Sequence, residues 1–136
     1  MATVVALVLL EGVLRLAGWR APVRGGEQLS ERYDSLLGWR GNPGSHRFTT
    51  GEYDVVLTRN ERGLRGPLRP FQKPARRRRV LLLGDSFVEG YTVGDTAVVS
   101  AVLERLLNER LEDSVEVING GTAGFSTDQE LQFFAS

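Results

Sequence analysis

The chain has 136 residues, enough for one small domain, and its 41% hydrophobic and 25% charged residues are ordinary for a globular protein. It has no cysteine, which excludes a disulfide framework and thiolate metal sites, and we expect neither a metal nor a cofactor. The net charge is zero, but residues 1–79 carry 15 Lys or Arg against 7 Asp or Glu, whereas residues 80–136 carry 2 against 10. The arginines of the basic half are scattered and accompany no nucleic-acid-binding motif, so we expect no nucleic-acid partner.

Residues 1–18 predict a helix that is apolar apart from Glu11 and Arg15, which lie four residues apart and can pair on one face. A membrane-spanning helix needs about 20 apolar residues, and this segment falls short of that length. Three interpretations stay open: the tail of a membrane anchor, a surface helix packed on the domain, and a degenerate signal peptide. Residues 19–32 are rich in Gly, Arg, Pro and Glu and predict a linker.

Residues 33–75 predict a small extension built around a β-hairpin. Leu-Leu-Gly-Trp-Arg at 36–40 indicates an apolar anchor before a turn, and residues 46–50 and 53–58 predict two strands around a Gly-Glu turn. His46 is the single histidine of the chain. We interpret it as a partly exposed hairpin residue rather than a catalytic base.

Residues 76–136 predict an α/β domain that starts with a basic run at 76–79, expected to be solvated, and an apolar strand at 80–83. A short continuous apolar run bounded by a turn signal is typical of a fully buried parallel strand. Gly84 allows a sharp turn, so Ser86 sits at the carboxyl end of the strand, at or near a helix start. Open α/β sheets bind their ligands at that edge, and the free N–H groups of a helix start suit an anion.

Residues 98–111 predict an amphipathic helix, and residues 115–118 predict a second strand. A strand, a helix and a strand of this length imply a parallel pair joined by a crossover. Asn-Gly-Gly-Thr-Ala-Gly-Phe-Ser at 119–126 then places another glycine loop at the carboxyl end of a strand. Thr127 and Glu130 predict a capping box at the start of a further helix.

Gly-Asp-Ser-Phe after an apolar strand, with the second glycine loop following on the next strand, resembles the first two sequence blocks of the SGNH/GDSL hydrolases. The resemblance implies a flavodoxin-like three-layer α/β/α fold, of which this chain holds the first part. It implies Ser86 as the nucleophile, with its own N–H and that of Gly124 in the oxyanion hole. Asn119 would brace the loop, and Gly84 and Asp85 would support the nucleophile turn.

The extension at residues 33–75 also resembles a segment found in some members of this family. Leu-Gly-Trp-Arg, the hairpin and Asn-x-x-Gly-Leu-Arg-Gly at 60–66 are similar to an extension of some membrane-tethered members. Such members often begin with an apolar helix, which favours the anchor interpretation of residues 1–18. The resemblance thus implies a membrane-anchored or exported protein. A cytoplasmic location stays open. By the positive-inside rule, the arginines at 15, 20 and 24 would keep the part of the chain that follows the helix on the cytoplasmic side of a membrane.

Two later blocks of the family, Gly-x-Asn-Asp and Asp-x-x-His, do not occur in the sequence. In the family they supply a further oxyanion donor and the acid and base of the catalytic triad. We therefore expect the N-terminal part of a longer protein or a truncated gene product. Two core strands would form a half sheet that leaves an edge and an apolar face uncovered.

The resulting prediction is a serine ester hydrolase of SGNH/GDSL type that works through an acyl-enzyme and is incomplete in this chain. The expected partners are an ester substrate, such as an acylated carbohydrate or lipid, and a membrane in contact with residues 1–18. Two alternatives stay open. One is an O-acyltransferase acting on a surface polysaccharide, and the other is a non-catalytic remnant or binding module.

Overall fold

A computed structural model describes residues 1–19 and 30–136 and shows a mixed α/β protein with small sheets, as predicted. Its elements in chain order are α1 (Ala2–Leu16), β1 (Glu31–Asp34), β2 (Gly38–Gly41), β3 (Gly44–Thr49), β4 (Asp54–Arg59), β5 (Arg77–Gly84), α2 (Ser86–Glu89), α3 (Val99–Arg110), β6 (Ser114–Gly121) and α4 (Thr127–Ala135).

The centre of the fold is the parallel pair formed by β5 and β6. The register runs from Arg77 opposite Ser114 to Gly84 opposite Gly121, so the two strands end level with each other. The predicted parallel pair is therefore confirmed. The predicted crossover helix is also confirmed as α3, which packs on β6.

The expectation that the first core strand is fully buried is wrong. The side chains of residues 80–83 are only half-buried, whereas Val115 and Val117 of β6 are 3% and 6% exposed. The reason is the neighbours that each strand has. Within the described residues β5 pairs with β6 alone and has smaller contacts with α2 and α4. Strand β6 packs more extensively, against α3 and α2, and also bridges to Arg65.

Two antiparallel hairpins precede the parallel pair. The β3–β4 hairpin confirms the predicted one and buries Leu57 completely. The β1–β2 hairpin was not expected, because its residues lack an alternating apolar pattern. The linker prediction is consequently wrong at residues 31–32, which belong to β1, and its residues 20–29 lie outside the described part of the chain.

Arg65 connects the extension to the core sheet. It forms one β-bridge with Arg59 at the end of β4 and another with Asn119 in β6. The edge of β6 that faces away from β5 is therefore partly covered by the extension. The expected uncovered edge is found at β5 instead, as far as the described residues show.

The basic and acidic halves of the chain bind each other through ion pairs. Within the described residues these pairs are Arg59–Glu89, Arg65–Asp95, Arg69–Glu104, Arg69–Glu116, Arg77–Glu116, Arg78–Asp113 and Arg79–Glu116. The pairs of Arg59, Arg65 and Arg69 join the extension to the core, whereas those of residues 77–79 lie within the core. The expected solvation of the basic run is wrong for Arg79, whose side chain is 15% exposed and bonded to Glu116.

Helix α1 is the predicted N-terminal helix. None of its residues is buried, and its two charged side chains pair through Arg15 Nε and Glu11 Oε1 at 2.7 Å. At about 1.5 Å per residue it extends about 22 Å. Among the described helices, none combines the length and the apolar character needed to cross a membrane.

Candidate active site

The turn that carries Ser86 is built by the residues on either side of it. Asp85 is the N-cap of α2, and its carboxylate accepts a hydrogen bond from the Phe87 N–H at 2.9 Å. A Cβ at Gly84 would lie 2.3 Å from Cγ2 of Val88, so a glycine is needed for α2 to fold back against the end of β5. Ser86 is therefore the first residue of a helix that starts directly at the sheet edge.

The second glycine loop is fastened to this turn. A Cβ at Gly121 would lie 2.3 Å from the backbone nitrogen of Glu89, so the backbone of α2 packs directly on the end of β6. The Thr122 N–H donates to the carbonyl of Gly84 at 3.0 Å. Ser86, at the start of α2, and Gly124, in the second glycine loop, thus follow the level ends of two paired strands at the same edge of the sheet.

Two backbone donors at this edge have no partner. Within the described part of the chain, neither the Ser86 N–H nor the Gly124 N–H donates a hydrogen bond. The Ser86 hydroxyl, half-buried, is likewise unbonded there. Gly124 has a φ of +78°, a conformation that favours glycine, and is itself exposed between the half-buried Ala123 and the buried Phe125. A hydroxyl and free N–H groups at one sheet edge have the composition of a site that stabilises an oxyanion.

Asn119 links three elements below the edge. It is 1% exposed, and its Nδ2 donates to the carbonyl of Val88 at 2.9 Å and to the Ser100 hydroxyl at 3.2 Å. Its Oδ1 accepts from the Gly121 N–H at 2.9 Å. Asn119 therefore connects α2 and α3 to the C-terminal end of β6.

A buried ion pair under α2 was missed from the sequence. Glu89 and Arg59 have side chains that are each 2% exposed, and Arg59 Nε donates to Glu89 Oε1 at 3.1 Å. Glu89 Oε2 accepts from the Ala123 N–H at 3.2 Å, and Arg59 Nη1 donates to the carbonyl of Ser30. One signal was available, because Arg59 lies two residues after the buried Leu57 and so shares its face of β4.

Arg65, the arginine of the Asn-x-x-Gly-Leu-Arg sequence, is buried and binds the backbone at the end of α2. Its side chain is 1% exposed and donates to the carbonyls of Glu89 at 2.9 Å, Gly90 and Val93, as well as to the Asp95 carboxylate at 3.0 Å. Those carbonyls lie at the end of α2 and just beyond it. A helix end has unpaired carbonyls and a negative dipole, so a guanidinium stabilises it.

Trp39 packs under the second loop. Its Nε1–H donates to the carbonyl of Ala123 at 2.9 Å, and its ring makes an edge contact with Phe125 at a centroid distance of 5.9 Å. A Cβ at Gly124 would lie 3.2 Å from Cζ2 of Trp39. The predicted apolar anchor in the extension is therefore an indole that contacts the candidate oxyanion loop.

The predicted capping box of the last helix is shifted by one residue. Ser126, not Thr127, is the N-cap of α4, and Gln129 instead of Glu130 completes the box. The Gln129 side chain accepts from the Ser126 N–H at 3.1 Å and donates to the carbonyl of Leu37 at 2.7 Å. The glutamine is favoured because it can do both, whereas a carboxylate could only accept.

His46 lies in β3, half-buried, with Nε2 2.8 Å from the carbonyl of Asn42. The interpretation of a hairpin residue is confirmed. No hydrogen bond joins His46 to Ser86 in the part of the chain that the structure describes, and no cluster of acidic or histidine side chains able to hold a metal ion occurs among those residues.

Comparison with protein-family models finds no match for the chain, and no curated protein matches it either.

Proposed function

We propose that this chain carries the nucleophile and two oxyanion donors of a serine ester hydrolase of SGNH/GDSL type with a flavodoxin-like fold. The observation that carries the proposal is that the Ser86 hydroxyl and the N–H groups of Ser86 and Gly124, none of them hydrogen-bonded within the described residues, follow the level ends of two paired strands. The parallel strands that bring these two loops to one edge support it. The Gly-Asp-Ser-Phe motif and the place of Ser86 at the sheet edge both support this choice of nucleophile.

The chemistry is acyl transfer through a covalent intermediate. Ser86 Oγ forms a bond to the ester carbonyl carbon, and the carbonyl oxygen becomes an oxyanion that accepts from the N–H groups of Ser86 and Gly124. When the intermediate collapses, the carbon–oxygen bond to the alcohol breaks and the proton lost by Ser86 ends on that alcohol. Water then hydrolyses the acyl-serine and releases the acid.

Among the described residues no side chain is hydrogen-bonded to the Ser86 hydroxyl, and the single histidine is bonded to Asn42, so no general base is in place for Ser86. Loss of one oxyanion donor alone costs about 10²–10³ in rate, and an enzyme that lacks a triad member keeps only about 10³–10⁴-fold catalysis over water. The proposal therefore predicts slow acylation by this chain rather than rapid turnover. A polar acylated carbohydrate or a lipid ester fits the proposal equally.

The test is acylation of Ser86 by a small activated ester, followed by intact-protein mass. The expected result is a slowly formed acyl adduct that is absent in Ser86→Ala and unchanged in His46→Ala. Equal adduct formation in the parent chain and in Ser86→Ala would overturn the proposal. Rapid turnover that depends on His46 would overturn the assignment of that histidine to the hairpin alone.

We also propose that α1 contacts a membrane. Large apolar side chains are exposed around the helix, with Leu7, Val8 and Leu9 each more than 60% exposed. An exposed apolar surface of this extent is typical of a site that binds a membrane or another protein. The ion pair of Glu11 with Arg15 lowers the cost of bringing both charges close to lipid.

A further inference from the structure

We propose that Trp39 is a positioning residue that aims the Gly124 N–H at the oxyanion formed on Ser86, with Glu89 fixing the other side of the same loop. This inference rests on the proposed function. It assigns the β1–β2 hairpin, which lies outside the core α/β unit, a direct part in building the active site.

The first step concerns a single peptide group. The carbonyl of Ala123 and the N–H of Gly124 belong to one planar unit, and the peptide bond between them is trans. In a trans peptide the C=O and the N–H point in opposite directions. The Trp39 Nε1–H holds the Ala123 carbonyl at 2.9 Å. The Gly124 N–H is therefore held pointing away from the indole.

The second step concerns the preceding N–H. Ala123 donates it to Glu89 Oε2 at 3.2 Å, and Glu89 lies on α2, one turn after Ser86. Arg59 binds the other oxygen of the carboxylate, so the carboxylate cannot rotate without breaking a buried ion pair. Ala123 is thus bonded at both its N–H and its C=O, and the loop is tied to the helix that carries the nucleophile.

The third step concerns the space around Gly124. Gly124 has a φ of +78°, and a Cβ there would lie 3.2 Å from Cζ2 of Trp39, so the backbone lies close to the indole ring. The edge contact of Trp39 with Phe125, which is 6% exposed, fixes the ring in turn. Rigid support of this kind is what an oxyanion donor needs, because a displacement of about 1 Å can cost about 10²-fold in rate.

The experiment uses the full chain and the variant Trp39→Phe, which keeps an aromatic ring and removes the indole N–H. We expect the rate constant for acylation of Ser86 by the activated ester to fall about 10–100-fold, with little change in the ester concentration that gives half-maximal rate. Trp19→Phe is the matched control, because Trp19 is 57% exposed and lies outside the site. That control should leave the rate constant unchanged.

The Gly124 amide provides a readout that does not depend on catalysis. In Trp39→Phe its NMR resonance should shift and its backbone order parameter should fall relative to amides of β5. A purely structural role of Trp39 would lower the folded fraction, and with it the amplitude of acylation, without changing the rate constant. If the circular dichroism spectrum shows that Trp39→Phe does not fold, the variant Glu89→Gln is used instead. Its control is Glu116→Gln, which removes a buried, paired carboxylate elsewhere in the protein.

The outcomes separate the two proposals. Ser86-dependent acylation that proceeds at the parent rate in a folded Trp39→Phe variant, with an unchanged Gly124 amide, overturns the positioning role and leaves the proposed function standing. Absence of any Ser86-dependent adduct in the parent chain overturns the proposed function, and the positioning role falls with it.

Discussion

The indole Nε1–H of Trp39 donates to the carbonyl of Ala123 at 2.9 Å, although 84 residues separate them in the chain. The bond connects the first hairpin after the described N-terminal helix to the loop that follows the last core strand. Because the same peptide group carries the Gly124 N–H, the extension and the candidate oxyanion loop form one structural unit. Four predictions extend from this unit to the rest of the protein.

The first prediction concerns Gly121, on which the backbone of α2 rests. In Gly121→Ala the new Cβ would meet the Glu89 nitrogen at 2.3 Å and the Val88 carbonyl carbon at 2.7 Å, so α2 must move. We expect a loss of about 1–3 kcal/mol in the free energy of unfolding, the usual range for overpacking. Urea unfolding measures it. Gly94→Ala is the control, since a Cβ there meets nothing within 4 Å, and equal losses in both variants would contradict the prediction.

The second prediction concerns the buried Arg59–Glu89 pair. Arg59→Met would leave the Glu89 carboxylate buried without its cation, and we expect a loss of about 3–5 kcal/mol in stability. Adding Glu89→Gln should recover part of that loss, because the uncompensated charge is removed. A double-mutant cycle from urea unfolding gives the coupling. Strictly additive losses would show that the two side chains do not interact.

The third prediction concerns the exposed pair of Asp54 with Arg47. Hydrogen bonds from Arg47 and then from Thr49 lower the pKa of Asp54 to about 2. Because the folded-state pKa lies below the ordinary carboxyl value, the contribution to stability is fully present above that ordinary value and is lost as the pH falls through about 2. NMR titration of Asp54 should show this pKa. In Arg47→Gln it should rise towards the ordinary range, and an unchanged titration would contradict the assignment.

The fourth prediction concerns α1. If its exposed apolar side chains contact a membrane, the full chain should partition with membranes on fractionation, and removal of residues 1–18 should shift it to the soluble fraction. Phe87→Ser is the matched control, because Phe87 is 88% exposed but lies outside this helix. Equal solubility of the full chain and the shortened chain would contradict the proposal that α1 contacts a membrane.

The sequence alone predicted every element whose signal is local. The apolar run before Gly84, the helical spacing of 98–111 and the second strand were each readable from neighbouring residues, and they appear as β5, α3 and β6. The position of Ser86 at the end of a strand followed from adjacency in the chain. The parallel pairing followed because a helix of crossover length separates the two strands.

Only the tertiary structure decided how the extension joins the core. Partners such as Arg59 and Glu89, or Trp39 and Ala123, lie 30 and 84 residues apart, and no periodicity relates residues at such separations. The short strands β1 and β2 carry little apolar pattern, since they are held by contacts to the loops rather than by a face of their own. Burial was likewise undecidable locally: residues 80–83 are apolar enough for a fully covered strand, but a strand is buried only as far as its neighbours cover it.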